Sequence, residues 1–245
     1  MDLQNAWNVA RKDFKIYRRK PSVIYATVAM PLIVGVVFPL IVDYSMSRGA
    51  KSLTAAAAPG LMDSFSIWFI IAAAIIPTAI ASYSLVGEKI QRSLEPMLAT
   101  PMSDGDILLG KTLSALLLPL GALYTGSVSF MVLLDTFTHG LLGYNYYPNW
   151  HIAAILFAAP FAALLSVEVN VIISARMTDV RSAQQSGALL MLPFVGVFLA
   201  SELGFFELND TNLVILAGVL AAVSVAMFFV AKAAFQREEI LTRWK

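Results

Sequence analysis

Eight consecutive residues, Gly105 to Thr112, read GDILLGKT and fit G-x-x-x-x-G-K-[ST], the spacing of a loop that cradles nucleotide phosphates. That chemistry needs a buried strand before the loop and a soluble helix after it, so that backbone amides converge on phosphate. The surroundings supply neither. Upstream, ATPMSD is turn chemistry; the wildcard positions include Ile107, Leu108 and Leu109; downstream, LSALLLPLGALYTG runs into an apolar stretch. No second acidic motif follows an apolar strand, and nothing resembles a nucleotide-sandwiching LSGGQ. The residues read instead as a helix start. Ser103 caps, Asp106 completes an S-x-x-D capping box, and Gly110 with Lys111 marks a membrane boundary.

Other side chains with chemical potential are few. The chain has no cysteine, which excludes disulfides, thiolate metal sites and a cysteine nucleophile. His139 and His151 are the two histidines, too few for a histidine-built metal or acid–base site. Glu168 is the one acidic group deep inside an apolar span. Burying it in lipid costs a few kcal/mol, so it faces the interior, pairs or is neutral. With Asn170 it is a candidate for a transport path; the plainer expectation is a structural hydrogen bond. Ser127 and Ser129 are expected to bond their own helix backbone. Ala72, Ala73, Ala74, Ala79 and Ala81 suggest close helix packing, either within the chain or against a second copy.

These residues are carried by elements made for lipid. Of 245 residues 58% are apolar and 13% charged, with mean hydropathy +0.74, against about 45–50% and about 25% for soluble domains. Six stretches long enough to cross a bilayer are expected at about 21–42, 64–87, 108–134, 151–175, 182–201 and 211–233. Pro193 and Gly196 suggest that the fifth is broken or re-entrant. The fold class is therefore an all-α integral membrane protein, with a six-helix membrane-spanning domain over 21–235 and a short cytoplasmic tail over 236–245. With the N-terminus inside, 15 of the 17 Lys and Arg residues lie on the inner side, which places both termini in the cytoplasm. Residues 1–20 form their own unit. Leu3, Trp7, Ala10, Phe14 and Tyr17 recur at helical spacing, while Arg11, Lys15, Arg18 and Arg19 point elsewhere, the pattern of an amphipathic helix on the membrane surface. The aromatics of GYNYYPNW (Tyr144, Tyr146, Tyr147 and Trp150) suit the opposite interface.

The stretch GEKIQRSLEPMLATPMSDGDILLGKTL resembles the loop between spans two and three of ABC-2-type transporter permeases. Glu88, Lys89, Leu94, Glu95, Pro96, Leu98, Ala99, Thr100, Pro101, Leu108, Leu109, Gly110 and Lys111 match that pattern as they stand. Ser93, Arg92 and Gln91 depart from it. SARMTDVRSAQQSGALLMLPF, from Ser174, is similar to the family's segment between spans four and five.

The resemblance implies a membrane subunit that binds no cofactor itself. Two ATPase subunits, holding ATP and Mg, would drive it together with a second permease copy or a similar permease. A short cytoplasmic coupling helix after span two would carry Glu88, Lys89, Gln91, Arg92, Leu94, Glu95 and Leu98 into the ATPase. Arg176, Asp179 and Arg181 would make a secondary contact. Export across the plasma membrane is the expected direction, the lipid bilayer is the expected environment and no nucleic-acid partner is expected. Two rivals follow from the residues: an ion-coupled secondary transporter using Glu168, and a non-transporting membrane assembly protein.

Overall fold

The computed structural model describes residues 2–47, 57–90, 102–142, 146–177 and 179–234. Among these residues every regular element is helical, and six helical segments are long and apolar enough to cross a membrane.

Helix α1 spans Leu3–Arg18 and starts at Asp2, whose side chain accepts from Gln4 N at 2.9 Å. It buries Ala6, Val9, Ala10, Asp13 and Tyr17 against the rest of the chain, and leaves Leu3 and Trp7 exposed. The apolar residues therefore divide. Ala6, Val9, Ala10 and Tyr17 meet protein, and Leu3 and Trp7 form a separate exposed flank next to Arg11, Lys15 and Arg18.

The first crossing comprises α2 (Pro21–Leu32), a wider π turn (Ile33–Val37) and α3 (Phe38–Ser47). Pro39 has no N–H to offer Gly35 O four residues back, so the ladder loosens there. Phe38 N reaches Ile33 O instead, and Ser129 Oγ approaches Gly35 O at 3.5 Å. A Cβ on Gly35 would lie 2.5 Å from Gly126 O, so this crossing point requires glycine.

The second crossing is α4 (Ala58–Ser66), a bend at Ile67, and α5 (Trp68–Ile90). It starts six residues before the expected boundary, because Asp63 interrupts the charge-free run without interrupting the helix. The third, α6 (Asp104–Leu142), exceeds the expected 108–134 at both ends. At 1.5 Å per residue it is about 58 Å long against a hydrocarbon core of about 30 Å, so its ends reach past the lipid tails.

The fourth crossing, α7 (Trp150–Arg176), is capped by Asn149, which accepts from Ile152 N at 2.9 Å. The fifth is divided into α8 (Val180–Ala188) and α9 (Met191–Glu202). Pro193 cannot donate to Leu189 O, and Leu192 N takes that carbonyl in a tighter turn at 3.1 Å. The sixth is α10 (Asp210–Ala234).

Chain order makes α5, α7 and α10 run in one direction. The pair α5 and α7 forms the centre and buries most of its residues; α9 buries none fully. Ala72, Ala73, Ala74 and Ala81 are buried inside this chain, so the small-residue stripe is largely consumed by its own packing rather than offered to a second copy. Phe69 stacks edge-on to Phe130 at 5.3 Å, and Phe130 meets Tyr147 at 5.8 Å. Tyr147 is therefore a core residue, whereas Trp150 is 81% exposed, as a lipid-interface aromatic is.

Candidate functional site

A row of small polar side chains fastens α5 to α7. Thr78 Oγ1 and Ser166 Oγ lie 3.3 Å apart; Ser82 Oγ donates to Asn170 Oδ1 at 3.0 Å; Val86 N donates to Ser174 Oγ at 3.2 Å. Each pair is 88 residues apart in sequence, and each step along either helix is four residues. Two helices running the same way with a constant offset meet along one stripe, so register alone generates the ladder.

Asn170 sits at its middle, fully buried. Its Nδ2 donates to Ser166 O at 2.7 Å and lies 3.4 Å from Thr78 Oγ1. Asn170 is thus occupied with helix pairing. Gly187 of α8 lies directly over it, and a Cβ on Gly187 would overlap Asn170 Oδ1.

Ser174 closes the ladder. Its Oγ donates to Ser82 O at 2.9 Å while accepting from Val86 N. Those two backbone groups are the ones an uninterrupted α-helix pairs with each other. The hydroxyl of α7 therefore contacts both backbone groups of one turn of α5, which stays helical to Ile90, one turn before the end of that helix.

This joint lies where the expected contact segments emerge. Glu88 and Lys89 belong to the last turn of α5, which continues as helix to Ile90. Gln91, Arg92, Leu94, Glu95 and Leu98 lie outside the described residues. Arg176 ends α7 two residues after Ser174. Asp179 caps α8, accepting from Ser182 N at 2.9 Å and Ser182 Oγ at 3.1 Å, bonds that hold its carboxyl below the usual range. Arg176, Asp179 and Arg181 are all exposed. α8 also packs back on α5, with Gln184 Nε2 3.5 Å from Ala79 O. The ends of α5 and α7 are thus one packed unit.

Glu168 is fully buried, and among the described residues neither carboxyl oxygen has a hydrogen-bond partner. It shares a stripe with Phe161, seven residues earlier, whose carbonyl accepts from Ser224 Oγ of α10 at 2.8 Å. Two residues apart at 3.6 per turn, Glu168 and Asn170 therefore occupy different sides of α7, and it is Asn170 that faces α5.

The GDILLGKT stretch forms helix rather than a phosphate loop. Ser103 N donates to Asp106 Oδ2 at 3.1 Å and Asp106 N to Ser103 Oγ at 3.2 Å, a reciprocal capping box. Asp2 N adds a bond to Asp106 Oδ1 at 2.7 Å. A Cβ on Gly110 would lie 2.5 Å from Ala6 O, so glycine admits α1 here. Lys111 is fully buried, with Nζ 3.9 Å from Asp13 Oδ2, and Ser114 Oγ donates to the same oxygen at 3.2 Å. The lysine joins α1 to α6.

At the opposite end a cavity of about 640 Å³ opens between Asp63, His151, Glu202, Glu207 and Asp210. His151 Nδ1 lies 3.4 Å from Asp210 Oδ1, and Ser64 Oγ donates to Glu202 Oε1 at 2.8 Å. Nearby, burial and then the Asp63 carboxylate push the Tyr146 phenol up to about 12. Ser127 bonds its own helix at Tyr124 O, as expected, but Ser129 reaches across to Gly35.

Reasoning from sequence missed the ladder, although its signal is present. Thr78 and Ser82, and Ser166, Asn170 and Ser174, recur every four residues on two apolar helices.

The family model described as ABC-2 family transporter protein matches residues 7–229. No curated protein matches the chain.

Proposed function

Because this chain belongs to the ABC-2 transporter family, a family of membrane-spanning ABC transporter subunits, we propose that it is an export permease. A separate ATPase drives it by binding at the helix ends after Ile90 and around Arg176–Arg181. Two ATPase subunits and a second permease, identical or similar, complete the transporter. ATP and Mg belong to the ATPase subunits. The α1 end of the bundle faces the cytoplasm, in agreement with the Lys and Arg distribution.

One observation carries this reading. Ser174 is bonded into the backbone of α5, so a push on the segment after Ile90 moves α5 and α7 together. The chain supplies no covalent chemistry. Its part is a shift between conformations, favoured by ATP binding on the neighbouring subunit.

The buried, unpartnered Glu168 favours a second reading, proton-coupled transport without an ATPase. Co-reconstitution of the chain with an ABC-type ATPase in proteoliposomes separates the two. The proposal expects the chain to raise ATP turnover. Transport driven by a proton gradient in the absence of ATP would support the second reading instead.

A further inference from the structure

A groove of about 410 Å³ runs between α2 and α6 on the lipid-facing side of the bundle, lined on α2 by Ile24, Val28, Pro31 and Leu32. Its wall on α6 includes Leu117 and Gly121, where a Cβ would meet nothing within 4 Å.

The hydroxyls in the groove are already used. Thr27 Oγ1 donates to Val23 O and Thr125 Oγ1 to Gly121 O, both at 2.7 Å, and Ser129 Oγ approaches Gly35 O. What remains facing the groove is hydrocarbon. An apolar channel of this kind is filled by whatever surrounds the helix, since an empty one forfeits dispersion contacts along both walls.

One end of the channel is strongly charged. Ile24 lies one turn above Lys20, the residue that precedes α2, so the groove opens close to the junction Arg18–Arg19–Lys20. Arg18 and Arg19 are exposed. The Lys20 ammonium donates to the Tyr83 hydroxyl and lies 3.7 Å from the centre of that ring, which fixes a cation at this level. The exposed Leu3 and Trp7 of α1, beside its basic flank, mark the same level as that of lipid headgroups.

We propose that this groove binds one anionic phospholipid from the leaflet that carries α1. An acyl chain lies between α2 and α6 as far as Ser129, and the phosphate sits against Arg19 and Lys20. The apolar walls set the place of the chain, and the cations set the preference for an anionic headgroup. The inference is independent of whether an ATPase drives the protein.

Phosphatidylglycerol and phosphatidylcholine probes with a diazirine on one acyl chain test it in nanodiscs holding the full chain. Cross-linked peptides are mapped by mass spectrometry. The expected result is labelling of residues 24–32 and 117–129 by the phosphatidylglycerol probe several-fold above the phosphatidylcholine probe. Gly121→Phe, which fills the groove, lowers that labelling several-fold. Arg19→Gln combined with Lys20→Gln brings the two probes level. Equal labelling by both headgroups in the unaltered chain would mean ordinary surrounding lipid and would overturn the proposal, with no need for any variant to fold. A disulfide between two Gly121→Cys chains, which carry no other cysteine, would overturn it in favour of a second copy seated in the groove.

Discussion

Ser174 Oγ donates to Ser82 O at 2.9 Å across the interface between two helices that run in the same direction. It reinforces a joint made at a constant offset of 88 residues by Val86–Ser174, Ser82–Asn170 and Thr78–Ser166, and the joint has a measurable size. Side-chain hydrogen bonds between membrane helices contribute about 0.6 kcal/mol on average and about 1.7 at most. A double-mutant cycle of Ser82→Ala and Asn170→Ala is expected to give a coupling energy in that range, read from unfolding in detergent. Gly187→Ala drives a methyl into Asn170 and is expected to cost about 1–3 kcal/mol by the same assay.

Lys111 and Asp13 pin α1 to α6 away from solvent. Removing one partner from a buried pair leaves an uncompensated charge and costs about 3–5 kcal/mol, whereas replacing both with apolar groups is close to neutral. Lys12 Nζ also lies 3.9 Å from Asp13 Oδ1 and supplies part of the compensation, so Lys111→Met alone is expected to lower stability by less than that amount. Lys111→Met with Asp13→Leu recovers most of it. If the single and double variants melted alike, the lysine would not be held by the aspartate.

Glu168 gives the opposite pattern. Its carboxyl is buried without a partner among the described residues, at a cost of about 1–3 kcal/mol. Glu168→Leu is expected to raise thermal stability. If the residue serves transport, the more stable variant transports less, so paired melting and transport assays separate a working group from a passive one.

Asp179 sets a pH dependence. Its bonds to Ser182 lower its folded pKa below the unfolded value of about 3.9. The stability it lends to α8 is fully present above about pH 4 and is lost as pH falls through the folded pKa. Amide exchange at Ser182, taken relative to its intrinsic rate at each pH, is expected to speed up in that acid range. Asp179→Asn, which still caps but does not titrate there, is expected to remove the acceleration.

The parts of this fold that depend on local sequence were legible. Six apolar runs became six crossings, Ser103 and Asp106 became a capping box, and Pro193 became a break. Long-range pairings were not legible, because nothing near Lys111 in the sequence points to Asp13. Charge-free runs also understated helix length, since Asp63, Asp106 and Asp135 sit inside helices whose ends extend beyond lipid. Within α1 the apolar stripe held two different surfaces. Ala10 and Tyr17 are buried against protein, whereas Leu3 and Trp7 are exposed, a division that only the packed neighbour defines.

In the proposed transporter the helix end after the ladder conveys an ATPase's motion to the membrane bundle. The direct test is ATP-driven transport by the chain reconstituted with its ATPase, comparing the native sequence with Glu88→Ala combined with Arg92→Ala. The double variant is expected to keep its membrane fold by melting while ATP-driven transport is lost, through uncoupling or release of the ATPase. Unchanged ATP-driven transport by a folded double variant would contradict it.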